Sequence, residues 1–539
     1  MVIFQRFMKK VMTKYCNACL SVLVGIGMFL FWYVAYPHAL SYQEQYQLFL
    51  WTGDYFLERV SVPGGFADWV GEFFVQFYYV GWLGALLLSL LFVAFGWIVG
   101  WIPAALLLWL MGDPSVLLGY MMALMIAVGC HKLNKIRWSS SAWCEAVIIP
   151  TLYWLTGPLV WVYVLLRWYH YGWRGWALPL YLLSLQLVAY RFILTQWTLE
   201  MTFMPALYYR TPMMMPALMW IIPIVAVVSI ILLSRWTSAR WLTPAHVIVA
   251  LVLACFALTE GYDKDMYELI RQDYLVRHER WDDIVKRAQD YQVKTPFSSV
   301  CVNLALSQKR LLADRMFDFY QSDTDALIMP RIRDLTSMLP SAEAFWRLGM
   351  INSALRYFFD TQESILNGKM SGRCTKRIVE CMIVNGQYKT AKKHLDLLKR
   401  SLYYHDWAEE TEKMLGNEQA VNADPVYGRL RKLRYKNDFL YSHYELDKML
   451  GMLFMNNTDN KMALDYFMGQ MLLEGEVGGF QHYMSAVQQY GGYSEMPLGY
   501  QDAMRCIQHG GAMAGSPYGE YVKRMVALSK RNEVEDEAH

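Results

Sequence analysis

The chain has 539 residues, is 55% hydrophobic and 15% aromatic, and carries a net charge of +3. Those aromatic and apolar fractions exceed soluble averages, and the excess is confined to one half. Residues 1–260 hold 14 Lys/Arg, 9 Asp/Glu and 18 of the 21 tryptophans, against 36 Lys/Arg, 38 Asp/Glu and 3 tryptophans afterwards. No basic face of the kind that binds nucleic acid is present; Arg429-Leu-Arg431-Lys432-Leu-Arg434 reads as a solvated helix face. Nine cysteines without regular spacing imply no disulfide framework. Cys16 and Cys19 read as small apolar residues entering a helix, and Cys374 and Cys381, two turns apart, are too distant to bridge.

In chain order, Arg6, Lys9, Lys10 and Lys14 precede an apolar span from about 18 to 36, which places the N-terminus in the cytoplasm. Its length and the lack of a small-residue cleavage site argue for an uncleaved crossing. The connection 37–76 is acidic, with Glu44, Asp54, Glu58, Asp68 and Glu72 against Arg59. Its helical spacing of Phe49, Trp51, Tyr55 and Phe56 predicts amphipathic helices along the membrane interface.

Further spans are predicted at about 77–99, 176–198, 217–234 and 244–259. Residues 101–130 are one kinked helix or two hinged at Gly112-Asp113-Pro114. Residues 143–166 are one span or two broken at Gly157-Pro158. The total is seven to nine, and both odd counts put residues 261–539 opposite the N-terminus, in the periplasm of a Gram-negative inner membrane. Arg235 and Arg240, just before the last span, fit a cytoplasmic loop. Arg191 and Glu145 lie inside spans, where ionisable groups are costly. They read either as a structural ion pair or, for Arg191, as a receiver of lipid phosphate, with Arg210 in the next outer loop serving the same ligand.

After residue 261 the patterning is helical throughout. Gly386-Gln-Tyr388-Lys-Thr-Ala391 with Leu395, and Gly349-Met-Ile351-Asn-Ser-Ala354 with Phe358, repeat a turn-plus-close-contact pattern. Ala313 with Phe317 and Ala463 with Phe467 keep its second half. Over roughly 281–500 this resembles the tetratricopeptide family, which implies stacked helix pairs with a concave face that binds proteins. The expected fold is therefore all-α: a polytopic transmembrane bundle over 1–260, a soluble tetratricopeptide-like solenoid over 261–530, and a disordered tail, 531–539.

No hydrolase, nucleotide or metal motif appears in the soluble half, and no cofactor is expected. The layout of the first outer loop, Tyr42-Gln-Glu44-Gln-Tyr46 and Asp54 followed by interface helices, is similar to membrane glycosyltransferases of the C-type fold, some of which carry an outer tetratricopeptide domain. That resemblance implies Glu44 or Asp54 as general base, Arg191 or Arg210 on the donor phosphate, and a polyprenyl-phosphate-linked sugar as donor. The usual Asp or Asp-Glu pair is Glu-Gln here. The competing expectation is a non-enzymatic membrane protein whose solenoid binds or assembles envelope proteins. The lack of two similar membrane halves argues against a transporter. As a whole the chain resembles bacterial multi-pass membrane proteins with a helical C-terminal half, a family of unknown function.

Overall fold

A computed structural model describes residues 18–137, 142–235, 242–332, 334–435, 445–489 and 492–537. The basic cluster before residue 15, Cys16 and Arg240 lie outside them. Among the described residues all regular structure is helical, apart from one antiparallel bridge between Val116 and Tyr209. The chain divides into two compact units. One is Met1–Tyr267 together with two short returns, Leu366–Lys369 and Arg400–Tyr403; the other is the remainder.

The first unit runs α1 (Ala18–Ala35), α2 (Pro37–Glu44), α3 (Gly53–Arg59), α4 (Gly65–Val75), α5 (Gly81–Ile98), α6 (Trp101–Leu110), α7 (Gly119–Arg137), α8 (Ala142–Thr156), α9 (Val160–Tyr171), α10 (Ala177–Phe192), α11 (Leu199–Phe203), α12 (Leu218–Arg235) and α13 (Leu242–Glu260). Its core is built on α7, whose Tyr120, Met121, Ala123, Leu124 and Val128 are fully buried. The α7 N-terminus meets α4 backbone to backbone: a Cβ on Gly71 would stand 2.5 Å from Gly119 N, and one on Gly119 would stand 2.8 Å from Asp68 Cα. Only glycines permit this approach.

The expected seven to nine spans reduce to four stretches long and apolar enough to cross a membrane: Ala18–Ala35, Gly81–Ile98, Trp143–Gly175 and Leu218–Arg235. A fifth arises if Pro244–Glu260 and Lys264–Arg277, bent by 59°, are counted as one. The reasons are local. Residues 101–130 form two helices, the first of only ten residues, and α7 ends in the charged run HKLNKIR. Helix α10, at 16 residues, is also short of the roughly 20 needed to span.

The 33-residue stretch Trp143–Gly175 does not run straight. Glu145 and Arg167, which a straight helix would hold about 33 Å apart, form an ion pair at 2.5 Å. The chain therefore doubles back at Gly157–Leu159, where Gly157 has φ +59°. Each arm, 12 to 15 residues long, reaches only about 18–22 Å.

Tyr163 Oη donates to Glu145 Oε2 at 2.7 Å and Asn134 Nδ2 to Tyr163 Oη at 2.8 Å, so the hairpin closes on a satisfied polar cluster. Glu145 is thus the partner of Arg167, and the expected pair with Arg191 does not form.

In the second unit the helices of ten residues or more are α14 (Lys264–Arg277, whose first turn belongs to the first unit), α15 (Trp281–Asp290), α16 (Pro296–Gln308), α17 (Leu339–Leu348), α18 (Ile351–Glu363), α19 (Gly372–Val384), α20 (Tyr388–Leu398), α21 (Leu446–Asn456), α22 (Lys461–Glu474), α23 (Val477–Gln489), α24 (Leu498–Gln508) and α25 (Pro517–Glu537). Helix α25 continues through most of the tail expected to be disordered.

Successive helices pack in pairs, α17 on α18, α18 on α19 and α19 on α20. Gly349 (φ +85°) and Gly386 (φ +74°) supply the left-handed turns. Ala354, Phe358, Ala391, Leu395 and Ala463 are fully buried, whereas Ala313 and Phe317 lie in a four-residue helix and a 3-10 turn. A buried lattice joins α14, α17 and α19. Arg373 Nη1 donates to Asp273 Oδ2 at 2.6 Å, and Arg377 donates to Glu343 at 2.9 and 3.1 Å and to Glu380 at 2.7 Å.

Two outcomes test this packing. Removing one partner of a buried pair costs about 3–5 kcal/mol, whereas replacing both with apolar residues is near neutral. Arg167→Met should therefore lower the unfolding midpoint sharply, and Glu145→Leu/Arg167→Met should recover most of it. In the second unit, burial pushes the Asp465 carboxyl up to about 6, Tyr493 Oη (2.8 Å) pulls against this, and Asp314 adds to it. A raised carboxyl binds its proton more tightly when folded, so stability falls as pH rises from about 4 to about 6. Asp465→Asn should be the more stable protein at pH 7.5 by at most about 3 kcal/mol, and the two should converge below about pH 4.

Candidate functional site

The first connection contains the densest concentration of buried polar residues in the first unit. His38, Gln43, Glu44, Gln45, Gln47, Arg59, Asp68, Glu72 and Gln76 are all less than a tenth exposed. Helix α4 is amphipathic with its polar face turned inward. Asp68, Glu72 and Gln76, four apart, share one face, and that face is the buried one. Phe66, Trp69 and Phe73 on the other side are only half-buried. An aromatic face turned outward suits the headgroup level of a membrane; the carboxylates face the protein.

Those carboxylates meet a clasp of cations. Lys369 Nζ donates to Asp68 Oδ2 at 2.6 Å and also to Glu72 Oε1. Arg59 Nε lies 3.2 Å from Glu72 Oε2, while its Nη1 and Nη2 donate to the carbonyls of Asn367 (2.6 Å) and Gly368 (3.2 Å). Tyr55 Oη donates to Glu72.

All four charged groups are buried, and they balance. Burial pushes the Asp68 carboxyl up, opposed by Lys369. Burial would lower the Arg59 guanidinium, but Glu72 and Tyr55 hold it above its usual range. Burial and Glu72 keep Tyr55 protonated well above the usual phenol range. Asp68 Oδ1 has no hydrogen-bond partner and rests against Gly119, the first residue of α7, where the helix dipole favours negative charge.

Of the four residues singled out in the sequence, Glu44 and Arg210 are buried and Asp54 and Arg191 are exposed. The Arg210 guanidinium sits 4.5 Å from the Tyr46 ring and 5.7 Å from the Tyr42 ring, in the turn that carries buried Glu44. Its Nη1 and Nη2 have no hydrogen-bond partner. Burial lowers its pKa, while Tyr42, Tyr46, Asp113 and Asp68 act the other way. Asp54 is exposed in the first turn of α3, capped by Thr52. Arg191 is exposed in the last turn of α10, 5.8 Å from the Phe192 ring.

Sequence reasoning missed Asp68, Glu72 and Lys369 as a set. The Asp68/Glu72 spacing was a usable signal; a lysine 297 residues further on was not.

A cavity of about 520 Å³ opens beside this region, in the size range of small-molecule sites. Its walls are the α6–α7 turn, the 209–218 segment and residues 260–267. Gly112 and Gly261 fix its base, because a Cβ on Gly112 would stand 2.2 Å from Gly261 O. Asp113 in its wall accepts from Tyr209 Oη at 2.7 Å and from Ser115 N at 2.8 Å. Neither Glu44, Asp54, Arg191 nor Arg210 lines it. Among the described residues no group of three or more His, Cys, Asp or Glu is arranged to hold a metal ion.

A buried guanidinium whose terminal nitrogens lack acceptors is destabilising, so Arg210→Met should raise the free energy of unfolding by roughly 1–3 kcal/mol. A loss of that size would mean the guanidinium has an acceptor. Gly119→Ala should destabilise strongly by forcing α4 away from α7, and a neutral result would contradict the close approach.

No curated protein and no solved structure matches the chain significantly. Residues 12–527 match the model of a family of unknown function, DUF6057, and the chain belongs to that family.

Proposed function

We propose that this chain is an integral protein of a bacterial inner membrane whose helical C-terminal half binds or assembles envelope proteins on the periplasmic side. The observation that carries this reading is the set of paired helices α17 to α20. Their turn glycines and buried alanines occupy the positions that let helix pairs approach and stack. Repeats of that kind present extended binding surfaces and rarely active sites. Orientation rests on charge: Arg6, Lys9, Lys10 and Lys14 precede the first apolar helix, and an acidic connection follows it.

The second reading is a glycosyltransferase using a lipid-linked sugar donor. It is favoured by one observation: Glu44 and Arg210 are both buried, and Arg210 lies over Tyr42 and Tyr46, which flank Glu44 in sequence. The absence of both from the cavity lining weighs against it.

A photo-crosslinking residue placed at exposed Tyr291 or Tyr483 in the full chain should trap the same discrete envelope proteins in wild-type cells and in a Glu44→Gln/Asp54→Asn variant. Unaltered lipid-linked sugar pools in that variant complete the expected result. Loss of crosslinks at both positions, or accumulation of a lipid-linked sugar in the carboxylate variant, would favour the transferase instead.

A further inference from the structure

We propose that the cavity between the α6–α7 turn, the 209–218 segment and residues 260–267 binds an organic ammonium group. Four aromatic rings line it, from Trp109, Tyr209, Tyr262 and Tyr267, together with the carboxylates of Asp113, Glu260 and Asp263. No Lys, Arg or His is among its lining residues. Aromatic rings and carboxylates around one open cavity are the combination that recognises ammonium cations: ring quadrupoles attract the charge while the carboxylates neutralise it.

A phosphate or sugar phosphate would find no cationic donor on these walls. Two cations lie nearby. Lys264 pairs with Glu260 at 3.4 Å, on an exposed side. Arg210 acts electrostatically on Asp113. Three carboxylates against these two leave one negative charge in excess.

The ammonium could be carried by a free polyamine or by a lipid headgroup. The 211–216 wall segment carries Met213 and Met214, which are fully and three-quarters exposed, and an acyl chain could lie along them.

The test uses the full-length protein in nanodiscs. Tetramethylammonium chloride and spermidine, each against matched NaCl, serve as free probes read by calorimetry. Phosphatidylethanolamine against phosphatidylglycerol nanodiscs, with retained lipid read by native mass spectrometry, serves as the lipid arm. Binding in either arm, weakened at least tenfold by Asp113→Asn and by Trp109→Leu with an unchanged circular dichroism spectrum, supports the site and identifies the source. Glu58→Gln, at an exposed position, should have no effect. If Asp113→Asn misfolds through loss of the Tyr209 bond, Trp109→Leu decides. Absence of binding in both arms, or binding insensitive to both substitutions, overturns the proposal.

Discussion

The first unit depends on one desolvated charge arrangement. Asp68 and Glu72 project inward from α4, and their charges are balanced by Arg59 from the neighbouring α3 and by Lys369 from a segment some 300 residues later. In a low-dielectric interior such groups are tolerable only when every one is paired. The pairing explains the orientation of α4, with carboxylates inside and aromatics outside. It also explains why Leu366–Lys369, distant in sequence, belongs to this unit. The close contact of Gly71 with Gly119 then fixes α4 against the most buried helix of the core, and the polar first connection is held in place as a consequence.

Much of the architecture follows from local patterning. The change in charge density near residue 260 lies close to the boundary at Tyr267. The spans expected at 217–234 and 244–259 match α12 and α13 within two residues at each end. Glycine and alanine positions marked the α17–α18 and α19–α20 pairs because close helix contact admits so few residue types. The number of crossings was not legible in the same way. Hydropathy does not separate a helix that spans lipid from one buried in protein, and it cannot see that α8 and α9 fold back on each other. The Glu145–Arg167 ion pair, invisible in the sequence, is what reveals the hairpin.

The site was legible in part. Glu44 and Arg210 are both buried, while Asp54 and Arg191 are left at the surface. Periodicity marked the first connection as amphipathic but left open which face the protein buries. In a membrane protein the outside of a helix can be the apolar side, so amphipathicity alone does not say which face points inward. The cavity escaped notice because its walls come from three separate segments, each unremarkable alone. Its acidic and aromatic lining is chemically distinct from a phosphate site.

The central claim is that the clasp, and not general hydrophobic packing, fixes α4 in the first unit. A double-mutant cycle on Glu72→Gln and Lys369→Met, read by reversible denaturation of the full-length protein in detergent, measures it most directly. The account predicts that each single substitution is strongly destabilising and that the pair couples by about 2 kcal/mol or more, as buried charge pairs do. Additive effects, with coupling below about 0.5 kcal/mol, would show that the two charges do not depend on one another and would contradict it.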